Sequence, residues 1–234
     1  RATEAGRNAT KADLHIAGHS HRLTDPDIKI RAINDLSDFN KRCLKSTPTI
    51  KLPTQSEVQD FVKGRVCSSF DLTEMFASIE LKPSAYKYFN FYLNDLIWSF
   101  RRVLQGCSSS PFVATEALRQ TFDHRVWEAL KSKLEYKLKL LFHYYSSYSE
   151  FVKSFMDDIL VSSFVICKCQ GGHCNKNFFC PTMNFEQTAR LHMEAIEALY
   201  FAISEAGFLL NPEKTQFFVH SGFVFIGLNY DAVN

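Results

Sequence analysis

The stretch SFMDDILVSS (154–163) sets two adjacent carboxylates, Asp157 and Asp158, inside an apolar run of Phe155, Met156, Ile159, Leu160 and Val161. Strand-forming residues on either side of the Asp pair predict a strand, a tight turn and a second strand. On that ground alone the pair is an ordinary hairpin tip. A sharper reading is that the turn presents carboxylates to a divalent cation. Like charges a few ångströms apart repel, and one partner's pKa rises unless a cation neutralises the pair. Mg²⁺ suits this role, because it takes one or two carboxylates together with substrate phosphates. A third carboxylate on a neighbouring strand would decide for the metal.

Such a carboxylate stands 86 residues earlier, in VCSSFDLTEMF (66–76). Asp71 ends an apolar strand there. If the two strands are neighbours, Asp71, Asp157 and Asp158 converge. Three carboxylates on adjacent strands can hold two divalent ions, an arrangement suited to in-line phosphoryl transfer. Taken singly, Asp71 is a routine strand-end residue.

Working outward, LHIA (14–17) and IKIRAIND (28–35) read as strands of a projecting hairpin around GHSHRLTDPD. TQSEVQDFVKG (54–64) fits a short helix capped by Thr54 or Ser56 and stopped by Gly64. TEMFASIEL (73–81) reads as a turn and a second strand, and KYFNFYLNDLIWSFRRVL (87–104) as a hairpin turning at Asn94-Asp95. Residues 110–142 read as strongly helical, and 185–208 as one amphipathic helix ending at Gly207. The segment 209–231 reads as two strands around His220-Ser221-Gly222. Strands paired through hairpins, with helices packed on one face of a mainly antiparallel sheet, make an α+β fold.

At 234 residues and 46% hydrophobic, the chain is globular and long enough for one large or two small domains. A net charge of +2 does not by itself imply nucleic acid. No apolar run reaches membrane-span length, so no membrane partner is expected. Seven cysteines, an odd number, argue against a disulfide framework and for a reduced, intracellular setting or metal binding. The abrupt ends read as those of a piece of a longer polypeptide.

The order of motifs resembles that of reverse transcriptases, closest to the retroviral and LTR-retrotransposon type. IRAINDLSDFNK (30–41) is similar to the fingers strand of that family, and SSFDLTEMFASIEL (68–81) to its first-aspartate motif. LQGCSSSPFVATEAL (104–118) resembles its Gln-Gly-Ser-Pro motif, and FMDD (155–158) its metal-binding box. AGFLLNPEKTQF (206–217) resembles the segment after the palm helix, and FVFIGLNYD (223–231) the primer grip. The resemblance runs from about residue 14 to 231.

It implies fingers and palm of a right-hand polymerase, adding dNTPs to a primer 3′-hydroxyl on an RNA or DNA template with two Mg²⁺ ions, or Mn²⁺ in their place. Asp71 and Asp157 would bind the metals, with Asp158 assisting. Lys214 would sit near the pyrophosphate as a general acid; as plain sequence it is equally a surface lysine after a turn. Arg31, Phe76, Gln105, Gly106 and Met156 would contact the incoming nucleotide, Phe76 as a steric gate against a 2′-hydroxyl. Phe225, Ile226 and Gly227 would grip the primer end. The implied layout is fingers over 1–66 with the hairpin 14–35, the first-aspartate strand in 67–82 and a return to the fingers over 83–104. Palm follows over 105–220, with a connector at 131–150 and an insert at 164–185, then a primer-grip hairpin over 221–234. Thumb and RNase H would be further domains of a longer polyprotein, located in the cytoplasm or a virus-like particle, the nucleus staying open. The alternative is a non-enzymatic, nucleic-acid-binding or assembly module derived from such an enzyme.

Departures from the family pattern are also clear. Leu104 stands where Pro is usual, Ser37 where Arg is frequent, and Phe155 where Tyr is common. No single fingers lysine stands out for the terminal phosphate; His19, His21, Arg22 and Lys29 are candidates. The insert holds Cys167, Cys169, His173, Cys174 and Cys180, which fit a Zn²⁺ knuckle, free thiols or a disulfide. Lys131, Lys133, Lys137 and Lys139 offer a basic helix face to nucleic acid or to solvent.

Overall fold

The computed structural model describes residues 14–17, 31–43, 48–93, 95–168, 180, 182–219, 223–226 and 228–230. The chain divides into two compact units, residues 1–50 with 76–114, and residues 51–75 with 115–234. Among the described residues, no helix is long and apolar enough to cross a membrane.

In the first unit, β1 (Leu14–Ala17) pairs antiparallel with β2 (Arg31–Asn34). Helix α1 (Ser37–Cys43) follows, started by Asp35, whose carboxylate accepts from the Ser37 amide at 2.9 Å. Leu36, Leu104 and Cys107 form a small core, with Phe39, Phe89 and Phe100 packed against it. β4 (Asn90–Leu93) and β5 (Leu96–Ser99) make the expected hairpin, and Asp95 takes the left-handed φ of 57° that its turn requires.

The second unit is built on a four-stranded antiparallel sheet. It holds β3 (Arg65–Asp71), β6 (Val152–Phe155), β7 (Asp158–Phe164) and β8 (Gln216–Val219), in the spatial order β6-β7-β3-β8. β3 and β7 are buried along five consecutive positions, because both faces of the sheet are covered. One face carries α7 (Phe185–Glu205), which presents Leu191, Ala195 and Leu199 at helical spacing, all fully buried. The other carries α2 (Gln55–Val62), where Val58, Phe61 and Val62 meet Cys67, Leu160, Phe225 and Tyr230. Phe225 and Tyr230 come from the hairpin of β9 (Phe223–Phe225) and β10 (Leu228–Tyr230). Thr54 caps α2 through a full capping box with Glu57.

Three local expectations are revised. The helical run 110–142 is three helices: α4 (Ser110–Thr121), α5 (His124–Leu134) and α6 (Lys139–Tyr144). Asp123 breaks the first pair by accepting from the Val126 amide at 3.1 Å, which starts α5. Buried Glu194 of α7 accepts from the Leu141 amide at 2.9 Å and so satisfies the first turn of α6. Segment 73–81 holds a four-residue helix, α3 (Met75–Ser78), and one isolated bridge from Glu80 to Arg102 in place of a second strand. The C-terminal segment forms three strands: β8 joins β3, while β9 and β10 pair with each other.

The abundant aromatics have a common centre. Trp127 meets Phe142, Tyr148 and Phe151 at ring-centroid distances of 5.3, 5.0 and 5.9 Å. That cluster anchors α5, α6 and the connector beside β6 in tilted and edge-on geometries that aromatic quadrupoles favour.

Candidate active site

Strand register decides which carboxylates meet. Phe70 lies opposite Ile159, and Asp71 lies opposite Asp158, at the end of the β3–β7 ladder. β6 and β7 are joined by the two-residue turn Met156-Asp157, since Phe155 pairs with Asp158. Met156 takes a left-handed φ of 52°, which a non-glycine residue adopts at some cost. The Leu72 amide donates to the Asp157 carbonyl at 2.7 Å, tying that turn to the strand carrying Asp71. The apolar, strand-forming flanks thus act as rails that set Asp71 opposite Asp158, with Asp157 in the adjoining turn.

A third segment closes the site. The Thr73 amide donates to the Leu209 carbonyl, and the Asn211 amide to the Asp71 carbonyl, both at 2.8 Å. Asn211 then caps a 3₁₀ turn, Pro212–Lys214, by accepting from the Glu213 amide at 3.1 Å. Lys214 is thereby brought back so that its Nζ donates to Asp71 Oδ1 at 2.7 Å. The Asp71 side chain is 13% exposed and that of Lys214 59%, so the pair opens to solvent on one side.

Burial pushes the Asp158 carboxyl up to about 6, and the neighbouring charges of Asp157 and Asp71 push the same way, with Lys214 opposing. The hydrogen bond from Lys214 to Asp71 raises the lysine's pKa. Negative charge is therefore concentrated beyond what one lysine balances. A hard divalent cation would relieve it, and the donors, all carboxylate oxygens, are of the right chemistry. Among the described residues no group of three or more His, Cys, Asp or Glu side chains is arranged to hold a metal ion. A site that leaves coordination positions to substrate phosphates and water fits Mg²⁺, which seldom uses an all-protein cage.

The other candidates lie on other segments of the chain. Phe225 is a core residue, 2% exposed, and Ile226 packs on the same core at a left-handed φ of 49°. Gly227 lies outside the described residues, as do His19, His21, Arg22, Lys29, Cys169, His173 and Cys174. Cys167 is buried and Cys180 half-buried. In the first unit, Arg31 heads β2 opposite Ala17, Phe76 is half-buried in α3, and Gln105 and Gly106 are exposed. Gly106 has a φ of 94°, so its lack of a Cβ is used. Lys133 and Lys137 pair with Glu205 and Glu197 at 3.8 and 3.0 Å, which makes them part of the α7 surface.

Two polar groups escaped the sequence reading. His192 of α7 is fully buried, with Nε2 2.7 Å from Ser68 Oγ and Nδ1 2.9 Å from Ser163 Oγ. Asn40 of α1 contacts the loop that follows Gln105. The available signal was a polar residue at each site where the periodicity calls for an apolar one or the helix disfavours Asn. A cavity of about 640 Å³ beside α2 and β6, lined among others by Lys51, Asp60, Phe61, Arg119 and Lys153, contains none of the candidate site residues.

A model of the reverse transcriptase (RNA-dependent DNA polymerase) family matches residues 20–230. No curated protein matches the chain. Among solved structures, native prototype foamy virus protease-reverse transcriptase is similar at 14% identity with a TM-score of 0.59, over 96% of this chain and 23% of that one. The foamy viral protease-reverse transcriptase dRH in complex with double-stranded DNA gives 16% identity and a TM-score of 0.58, over 95% and 30%. The foamy viral enzyme in complex with an RNA/DNA hybrid gives 15% and 0.55, over 95% and 22%. This chain thus spans between about a fifth and a third of the length of those proteins, and at such identity the likeness is one of fold.

Proposed function

The chain belongs to the reverse transcriptase family, and from that premise we propose that it carries the site of an RNA- and DNA-templated DNA polymerase, which extends a primer 3′-hydroxyl with dNTPs. The observation that carries this reading is the register that sets Asp71 directly opposite Asp158, with the Asp157 turn hydrogen-bonded to the same strand. Two divalent ions on these carboxylates would supply a lowered pKa at the 3′-hydroxyl and charge neutralisation at the leaving pyrophosphate.

The chain's own groups have distinct tasks. Asp71 and Asp157 hold metal, and Asp158 assists. In the transfer, the primer 3′-oxygen bonds to the α-phosphorus as the bond to pyrophosphate breaks. Lys214, kept protonated beside Asp71, is the group we assign to give a proton to the leaving pyrophosphate, a role its raised pKa supports. Arg31, Phe76, Gln105, Gly106 and Met156 contact the nucleotide, Phe76 barring a 2′-hydroxyl. The β9–β10 hairpin bearing Phe225, Ile226 and Gly227 touches the primer end, with Phe225 as its anchor in the core. The complexes of the foamy viral proteins with double-stranded DNA and an RNA/DNA hybrid support a primer–template as the partner.

The test is primer extension on an RNA template with dNTPs and Mg²⁺, against an Asp157→Asn, Asp158→Asn double variant. Incorporation by the native chain that is lost in the variant supports the reading. A folded chain that binds primer–template but incorporates nothing, with either metal, points to a binding module instead.

A further inference from the structure

Asn40 sits in the middle of α1, a seven-residue helix, where Asn is a poor helix former. Its side chain has another use. Nδ2 donates to the Gly106 carbonyl at 2.9 Å, and Oδ1 accepts from the Ser108 amide at 2.8 Å. A primary amide carries donor and acceptor in one plane, so it can pair with a backbone as a peptide group does. Only one orientation of the amide satisfies both partners.

The grip falls on a loop that needs it. Gly106 holds a φ of 94°, and glycine has the widest choice of backbone conformations to give up. On its inner side the loop is tied by Ser110, whose Oγ donates to the Leu104 carbonyl at 2.6 Å and whose amide donates to the Cys107 carbonyl at 3.0 Å. Leu104 and Cys107 rest with Leu36 in the small core, against which Phe39 is packed. The outer side, at Gly106 and Ser108, is tied by Asn40.

We propose that Asn40 is a positioning residue for nucleotide binding: its amide clamps the Gly106 carbonyl and the Ser108 amide and so holds Gln105 and Gly106 in the geometry that receives a dNTP. This rests on the reading of Gln105 and Gly106 as nucleotide contacts. Asn40 itself touches no substrate. The Gly106 bond is exposed and the Ser108 bond part-buried, so losing the clamp strands no fully buried polar atom, and the fold survives while the loop loosens.

The experiment uses the full chain with primer–template and compares Asn40→Ala, Asn40→Asp and Gln105→Ala. Nucleotide affinity is read by dNTP titration of the complex on a dideoxy-terminated primer, which needs no turnover. KM and kcat are read from single-nucleotide incorporation, and loop order from hydrogen exchange at the Ser108 amide. Asn40→Ala should weaken dNTP binding about tenfold, for the loss of one exposed and one part-buried hydrogen bond, as a KM effect with kcat little changed. Ser108 exchange should quicken while the melting temperature holds. Asn40→Asp keeps the acceptor for Ser108 and should keep its protection, with an intermediate affinity. Unchanged Ser108 exchange in Asn40→Ala, or a fall in kcat with KM unmoved, would overturn the clamp. Gln105→Ala separates the two layers. Weaker binding there but not in Asn40→Ala sinks the clamp alone; unaltered binding in both sinks the nucleotide reading and the clamp with it.

Discussion

At the end of β3 and β7, Asp71 lies opposite Asp158 beside the Asp157 turn, and Lys214 pairs with Asp71 half open to solvent. Deeper in the same two strands, Ser68 and Ser163 hold His192 of α7 between them, fully buried and bonded at both ring nitrogens. Burial pushes this imidazole down to about 3, so it is neutral and donates through one nitrogen while accepting through the other. Ser68 Oγ also accepts from the Phe218 amide at 3.1 Å, at the bulge where β8 joins β3 and Phe218 has a left-handed φ of 53°. One cluster is satisfied and neutral, and it holds helix, strands and bulge together. The other is charged, with neighbouring carboxylates that help to raise the Asp158 pKa and a lysine that offsets them in part. Polar groups in one sheet therefore divide by whether their partners are already inside the protein.

This contrast can be broken most sharply at the carboxylates. On the proposed function, Asp71→Asn should reduce nucleotide incorporation by about a thousandfold or more, with little change in melting temperature, because the metal contact it removes would serve the transition state. A large loss of stability with activity retained per folded molecule would reverse the assignment. At the other cluster the effects should exchange. His192→Ala should destabilise the fold by about 3 kcal/mol, by opening a void and stranding two serine hydroxyls, as read by denaturant unfolding. Folded molecules of that variant should keep most of their activity.

Lys214→Ala should cut the chemical step by about a hundredfold if the lysine protonates the pyrophosphate. Lys214→Arg, being charged but a far weaker proton donor at neutral pH, should restore little; full recovery with Arg would leave only a charge role.

The finest comparison is in pH, with chelator present. The His192 pKa is lower folded than unfolded, so the unfolded chain binds more protons, and stability rises with pH from about 3 to the ordinary histidine range. The Asp158 pKa is higher folded than unfolded, so that group favours the folded chain at low pH and its contribution is lost as pH rises toward about 6. The two oppose each other over roughly pH 4 to 6. Asp158→Asn should make stability climb more steeply with pH in that window, and His192→Gln should flatten it. Parallel curves for both variants and the native chain would dismiss both shifts.

How far the chain could be read in advance follows from the range of each interaction. The FMDD hairpin, the Thr54 cap and the 21-residue helix α7 were legible, because strand flanks, an Asp pair, a Thr-x-x-Glu box and a 3.6-residue period are local signals. The helical run expected over 110–142 is helical, but its division into three helices was not legible. Asp123 acts as a cap within its own turn, yet composition alone masked it, and the start of α6 depends on Glu194, 53 residues away. The strand expected after Asp71 became α3 because the pairing available to 79–81 is limited to backbone contacts with 101–103.

The candidate site divides along the same line. Residue types and motif order were enough to name Asp71, Asp157 and Asp158 and the chemistry they suit, since that information is carried by each residue and its near neighbours. Their convergence, the bond from Lys214 to Asp71 across 143 positions, the His192 bridge across 124 and the Asn40 grip across 66 required the folded chain. A strand's period of two says which side chains share a face, but not which strand lies beside it. Register and packing settle that, and they are properties of distant segments brought together, which no local pattern contains.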